Sequence, residues 1–285
     1  EEFFQERLPV ALPGYEARRG QLDMSLQIAE ALNQGEVALL EAGTGTGKSL
    51  AYLVPSVLWA LKNQTRDVVA TYTINLQGQL VNADIPVLRA AGLDFEHALI
   101  KGRGNYICRR RLASALERDP GDATLRAIGE AARSPTDGTR SDLAFPVPDE
   151  IWDDVLSDHD QTLRAKCPNF HDCFYYEARR RAAKAHVLVA NHHLLLIDTS
   201  IKTETGGEGI LPRFNRAVID EGHHLEDAAT SMLRQQLSSR MIRRALGPLR
   251  QRKERPGAVE AVSRSFGRPG GPLFEDSQIR VLQLS

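Results

Sequence analysis

The sequence is short of cysteine, of long apolar runs and of net charge. Three cysteines in 285 residues are an odd and small number. They make a poor disulfide framework and point to a reducing compartment, the cytoplasm. No apolar run reaches the roughly 20 residues a membrane-spanning helix needs. The opening "EEFFQERLP" lacks the basic start and apolar core of a signal peptide, so no membrane partner is expected. With 36 basic and 37 acidic residues the formal net charge is −1. That neither favours nor excludes nucleic acid, because a basic face can sit on a neutral chain. No internal repeat is present. The missing initiator methionine reads as a trimmed or partial product of a longer protein.

What is present is ordinary globular material, 42% hydrophobic and 26% charged, enough for one large or two modest domains. In residues 15–33 Leu22, Leu26, Ala29 and Leu32 recur at helical spacing. "VALLEA" (37–42) reads as a short apolar strand, "GTGTG" as a loop, and "KSLAYLVPSVLWAL" as a helix. "DVVATYT" is a second strand, the stretch from Ile74 to Ala91 a helix, and "HALIKG" a third strand. Strands alternating with helices predict a mostly parallel sheet covered on both faces. The pattern changes after Lys101. Residues 103–183 read as a helical, loop-rich insertion that carries all three cysteines. Sheet character returns in "HVLVANHHLLLI" and "RAVIDEGHHLED", and residues 249–285 are a basic, Gly- and Pro-containing tail.

"GTGTGKS" has a direct physical reading. Gly43, Gly45 and Gly47 let backbone N–H groups curl around phosphates with no Cβ in the way. Lys48 can reach the outer phosphates, and the Ser49 hydroxyl can ligate Mg²⁺. A helix starting near Lys48 aims its positive end at the same anion. The strict pattern asks for glycine at position 42, where this chain has Ala42. The expected partner is an acidic residue at the end of an apolar strand, and "RAVIDEGHH" supplies it. Asp220 would hold Mg²⁺, and Glu221 would orient the attacking water. His223 either couples the site to a neighbouring surface or is a solvated helix-start histidine; His224 reads as the latter.

These motifs together resemble the superfamily 2 DNA helicases of the iron–sulphur XPD/DinG type, and especially the bacterial DinG-like branch. "YEARRGQLDM" is similar to the adenine-sensing segment, with Gln21 as the base reader and Arg18 nearby. "EAGTGTGKS" matches motif I, and "ATYTINLQGQL" resembles motif Ia, which touches the DNA backbone in that family. "KGRGNYIC" and "NHHLLL" also fall in family positions, and "DEGH" stands where the family shows DEAH. The resemblance implies a RecA-like P-loop NTPase domain: a first part in residues 1–102, the insertion in 103–183, and a return in 184–248. The family's second motor domain has no counterpart here. It implies an ATP hydrolase, a DNA helicase moving 5′ to 3′ on single-stranded DNA with ATP and Mg²⁺. Single strands, single-strand/duplex junctions and replication or repair proteins would be its partners. The alternative is a non-catalytic nucleotide- or DNA-binding module.

For DNA contact, Thr71, Thr73 and Gln77 follow a strand and offer polar groups to phosphates. Near the cysteines, Lys101, Arg103, Arg109, Arg110, Arg111, Arg179, Arg180 and Arg181 interleave with Tyr106, Phe174, Tyr175 and Tyr176, a composition that suits a single strand.

The resemblance also bears on the thiols. Cys108, Cys167 and Cys173 fall where the family places three of four cluster ligands, and Thr162 stands at the fourth. Four thiolates hold a [4Fe–4S] cube. Three leave several alternatives open: a [3Fe–4S] cluster, a cube with a non-cysteine ligand such as His159, Asp160 or His171, a lost cluster, or zinc held by three cysteines and a histidine.

Overall fold

The structure is a computed structural model describing residues 1–233 apart from Thr44, Pro135 and Glu208. The basic tail expected at 249–285 lies outside the described residues. In chain order, a π-helical turn at Phe3–Arg7 leads into α1 (Leu8–Ala11), α2 (Arg19–Gln34), α3 (Lys48–Asn63) and strand β1 (Asp67–Thr71). The next helix has three parts: α4 (Ile74–Gln79), a π-helical stretch at Leu80–Asp84, and α5 (Ile85–Ala90). After β2 (His97–Leu99) come α6 (Arg109–Arg118), α7 (Ala123–Ala131), α8 (Asp149–Val155) and α9 (Phe174–Ala182). The chain then forms β3 (Val187–Asn191), α10 (His192–Thr205), β4 (Arg216–Ile219) and α11 (Leu225–Leu233).

The four strands form one parallel sheet in the order β2-β3-β1-β4. β1 is paired on both edges, so Asp67 faces both Val187 and Arg216 in register. Its residues are all buried, which is why "DVVAT" is nearly continuous in apolar side chains rather than alternating. The period of two still sorts them by face. Val69, with Val187 and Val189, packs beneath α2, α3 and the α4–α5 helix through Ile28, Leu32, Leu53, Val57, Ile85 and Leu88. Val68 and Ala70, with Leu188 and Ala190, pack against Ala182, Leu194, Leu195 and Leu211 on the other face.

The α/β reading with a parallel sheet is thus what the chain adopts, with one difference. The expected strand "VALLEA" is not one: the backbone before the phosphate loop is irregular, and Val37 and Leu39 are 95% and 97% exposed. A strand needs a ladder to satisfy its N–H and C=O groups. The outer edge of β4 pairs with no strand among the described residues, and residues 37–42 do not join it.

Residues 106–178 build a third core of their own. Tyr106, Ile107, Leu112, Ile128, Trp152, Val155, Phe174 and Tyr175 meet there. Single antiparallel bridges join Tyr106 to Thr139 and Ile107 to Leu156. Lys101, just past β2, is 7% exposed. Its ammonium donates to Thr139 Oγ1 at 2.9 Å and Ser141 Oγ at 2.6 Å, and sits 3.9 Å from Asp142. Its proton affinity is lowered, chiefly by burial. At the opposite end of the strands, Arg66 forks into three backbone carbonyls, those of Ala185, Arg213 and Ala183, at 2.6–2.9 Å. One guanidinium thereby ties together the chain entering β1, β3 and β4.

Asp67 is the costly residue of this sheet. It opens β1 with no solvent exposure, and burial raises its pKa to about 7, opposed by the charge and backbone N–H of Arg216. A folded pKa above the unfolded value of roughly 3.9 gives stability that is complete below pH ~4. That stability is lost as pH rises towards 7, by up to about 1.4 kcal/mol per pH unit. Asp67→Asn should therefore flatten the pH dependence of thermal unfolding between pH 4 and 7 and raise Tm by several degrees at pH 8. A Tm at pH 8 below that of the unsubstituted protein would show that the ionised carboxylate is not the liability.

Candidate nucleotide site

The site lies at the carboxyl ends of the parallel strands. α3 begins at Lys48 with Gly47 at its N-cap in the left-handed region, φ +77°. Gly45 has the same φ, a conformation that L side chains rarely adopt. At Gly47 space is a second constraint, because a Cβ there would collide with the Gln21 amide. Inside the loop Thr46 Oγ1 donates to the Gly43 carbonyl at 2.9 Å.

The expected base reader, Gln21, and nearby Arg18 dock on this loop. Gln21 is 3% exposed; its Nε2 donates to the Gly47 carbonyl at 2.9 Å while its Oε1 accepts from Tyr15. Arg18 donates to the Gly45 carbonyl. Both side chains thus brace the phosphate loop from the start of α2.

The acidic pair arrives from β4. Asp220 N–H donates to the Ala70 carbonyl at 2.8 Å, extending the β1–β4 ladder by one bond. Glu221 then turns into the left-handed region, φ 54° and ψ 46°, uncommon for a residue with a Cβ. That turn brings its carboxylate 3.3 Å from the Lys48 ammonium, both side chains about 30% exposed. The far carboxylate oxygen lies 3.5 Å from His223 Nδ1. Asp220 accepts from Tyr52 Oη at 3.3 Å. Its pKa is raised, first by burial and then by the Glu221 charge, with Tyr52 and Lys48 acting the other way.

Three residues carrying this geometry have no role read from the sequence, His192 within "NHHLLL" and two outside any motif. Tyr52 stands one helical turn after Lys48, so the i, i+4 spacing on α3 places it on the same face. His192, 1% exposed, meets the Asp220 carbonyl through Nε2 at 2.7 Å. Asp84 sits at the end of the π-helical stretch, where its carboxylate accepts from Ser49. Nothing in "VNADIP" marks it.

Several sequence expectations fail here. Thr71 and Gln77 are 0% and 1% exposed, and Thr73 caps α4 by accepting from Leu76 N–H. Thr71 and Gln77 therefore do not offer their polar groups to solvent as expected, while half-buried Thr73 accepts one bond within its own helix; Tyr72 and Ile74 are the exposed large hydrophobic side chains there, at 41% and 46%. His224, read as solvated, stacks on Tyr72 with ring centroids 4.0 Å apart and planes 15° off parallel. Around the cysteines, Tyr106, Phe174 and Tyr175 are buried core residues rather than stacking platforms. Many of the arginines spend donors on carbonyls: Arg109 on Asp172 and Ala132, Arg110 on Gln161, Arg111 on Asp153, Arg179 on Ile210 and Arg180 on His171.

Cys108, Cys167 and Cys173 are free, half-buried thiols lining one cavity of about 30 Å³ with Thr162, Asp158, Arg103 and Tyr176. Thr162 accepts from Arg103 Nη1 at 3.3 Å, and the same guanidinium lies 3.8 Å over the Tyr175 ring. The donor chemistry fits three corners of an iron–sulphur cube, although the cavity holds about one water, so a cube would displace its rim. His159, Asp160 and His171 do not line it. Among the described residues no three His, Cys, Asp or Glu side chains gather closely enough for a single metal ion, so a zinc set is not assembled.

A parallel sheet with a phosphate loop at its carboxyl edge and an Asp-Glu pair facing the loop lysine defines a P-loop NTPase domain of RecA type, here with a helical insertion. Comparison with known proteins narrows this. A family model described as DEAD_2 matches residues 148–242. The chain is 35% identical over 244 residues to the ATP-dependent DNA helicase YoaA of Escherichia coli (strain K12), covering 83% of this chain and 37% of that protein. It is 35% identical over 295 residues to the ATP-dependent helicase DinG of Mycobacterium tuberculosis (strain ATCC 25177 / H37Ra), covering 92% of this chain and 44% of that one. The DinG helicase of Salmonella choleraesuis is 30% identical over 253 residues, 80% of this chain and 34% of its own length. The chain is similar to these helicases, and it spans less than half the length of these curated relatives.

The loop geometry yields a stability test. Gly47→Ala adds a Cβ where φ is positive and where the Gln21 amide already sits. It should lower Tm by several degrees and weaken nucleotide binding at least tenfold, as read by thermal unfolding and nucleotide titration. An unchanged Tm would mean that the loop does not hold this conformation in solution.

Proposed function

We propose that this chain is the nucleotide-gripping part of an ATP-dependent DNA helicase whose motor moves 5′ to 3′ along single-stranded DNA. The observation that carries the reading is the 3.3 Å approach of Lys48 to Glu221. It brings the lysine of the phosphate loop to the acidic end of β4. In this reading Gly43, Gly45, Gly47 and Lys48 cradle the phosphates; Arg18 and Gln21 brace that loop, and Gln21 would read the base only by giving up its bonds to Gly47 and Tyr15. Lys48 gives up Glu221 for the outer phosphates, and the freed carboxylate orients water for in-line attack. The Ser49 hydroxyl and Asp220 would hold Mg²⁺, which would neutralise the phosphate oxygens. Single strands and single-strand/duplex junctions are the proposed substrates, in replication or repair.

The test is DNA-stimulated ATP hydrolysis by this chain and by a version extended with any downstream sequence. Hydrolysis in the extended form, abolished by Lys48→Ala, is the expected result. Absence of hydrolysis in both would sink the motor reading and leave a binding module.

The insertion carries a second proposal. Cys108, Cys167 and Cys173 would hold an iron–sulphur cluster that cross-links α6, the 157–173 segment and α9, a structural rather than hydrolytic role. Thr162→Cys completes the four-thiolate set and should raise iron and sulphide per chain in anaerobically purified protein, with slower loss in air. Zero iron in the unsubstituted protein under those conditions removes the cluster from this chain.

A further inference from the structure

Asp84 is the one carboxylate near the site that neither the motifs nor the proposed mechanism uses. It is placed by an irregularity. The helix from Ile74 to Ala90 loses its α-helical register at Leu80–Asp84, where it widens into a π-helical stretch that packs against α3. Such widened turns are frequent at functional sites. The consequence here is directional: the Asp84 carboxylate reaches the first turn of α3 and accepts the Ser49 hydroxyl proton, with Gln79 as a second donor. Its Oδ2 is buried with no hydrogen-bond partner. No ion pair involves Asp84 among the described residues, and the nearby charge acting on it is Asp220, of the same sign. Tyr52 lies between these acids, bonded to Asp220 and near Asp84.

We infer that Asp84 is a positioning residue for the metal of the Mg·nucleotide complex, orienting Ser49 and adding a second negative charge behind it. The inference rests on the proposed nucleotide site. A serine hydroxyl can offer a lone pair to Mg²⁺ only if its proton points elsewhere. The Ser49 hydroxyl meets Tyr52 as well as Asp84; donation to either turns its proton away, but only Asp84 adds negative charge behind the oxygen and makes it a better ligand, the outer-shell role that carboxylates play behind other metal ligands. Mg²⁺ keeps several waters when it binds through few protein groups, so the open Oδ2 is placed to accept from one of them.

The test separates the metal from the rest of the site. Nucleotide affinity is measured by titration with ADP in excess Mg²⁺ and again in chelator, for the unsubstituted chain, Asp84→Asn, Asp84→Glu and Lys48→Ala. Asp84→Asn should weaken binding about tenfold in Mg²⁺ and leave the Mg²⁺-free affinity unchanged. Asp84→Glu should recover part of the loss, because the charge returns on a longer arm. Mn²⁺ affinity of the ADP complex, read by its free-ion paramagnetic signal, should fall in parallel for Asp84→Asn. An equal loss with and without metal, or no loss, overturns the inference, as does failure of Asp84→Glu to recover anything. Should the unsubstituted chain bind no ADP, or Lys48→Ala bind as well as it does, the nucleotide site fails and this inference with it.

Discussion

Lys48 meets Glu221 only because β4 lies parallel against β1. The two residues are 173 positions apart, and the register that pairs Ala70 with Ile219 sets where β4 stops. One further bond, Asp220 N–H to the Ala70 carbonyl, carries the acidic residue just past the end of the ladder. The left-handed turn at Glu221 costs on the order of 1–2 kcal/mol. A half-exposed ion pair is worth roughly 0–1 kcal/mol, so the Lys48 contact cannot by itself hold that turn. The ladder, the His192 contact to the Asp220 carbonyl and the His224 N–H bond to the Glu221 carbonyl hold it instead. The strain is sustained by the sheet, and the carboxylate is delivered where the lysine can reach it.

The insertion depends on a different kind of constraint. Its core is separate from the two sheet cores, and it is attached through α9, whose Ala182 joins the second sheet core, and through polar contacts near Lys101. Burying an ammonium is unfavourable unless its donors are met. Here two hydroxyls and a carboxylate meet them, and the lowered proton affinity of Lys101 shows the remaining cost. Arg103, two residues on, reaches into the cysteine cavity and bonds Thr162 while lying over Tyr175. A threonine at this corner is thus an occupied position, packed and hydrogen-bonded, and any metal taken up by the three thiols has to compete with that arrangement.

Much of this was legible in the sequence because it is local. The phosphate loop, its helix and the acidic strand end are each specified within a dozen residues by glycine, charge and apolar period, and all three are where those signals put them. What was not legible is long-range. "VALLEA" carries the composition of a strand, but a strand is decided by its neighbours, and no partner strand among the described residues takes it up. The aromatics and arginines of the insertion have the composition of a single-strand groove. The fold instead buries Tyr106, Phe174 and Tyr175 and turns arginine donors to carbonyls, a choice that depends on which helices meet. Asp84 was invisible for a third reason: its position depends on one extra backbone unit in a helical turn, and side-chain periodicity does not report that.

The acidic groups of the site tie these constraints together. Asp220 is raised in pKa by burial and by Glu221, and Asp84 by burial and by Asp220. Tyr52 is pushed up as well, by burial and then by Asp220. Three groups that disfavour negative charge are therefore held around one spot by elements that the sheet core brings together: the end of β4, the first turns of α3 and a widened helical turn. Lys48 offsets part of that charge now, and a nucleotide would take Lys48 away. A divalent cation is the species that would relieve the carboxylates at the moment the lysine leaves. An arrangement unfavourable when empty and favourable when filled is the electrostatic preorganisation on which phosphoryl chemistry relies, and here it is the sheet, more than any ion pair, that supplies the stability against which it is held.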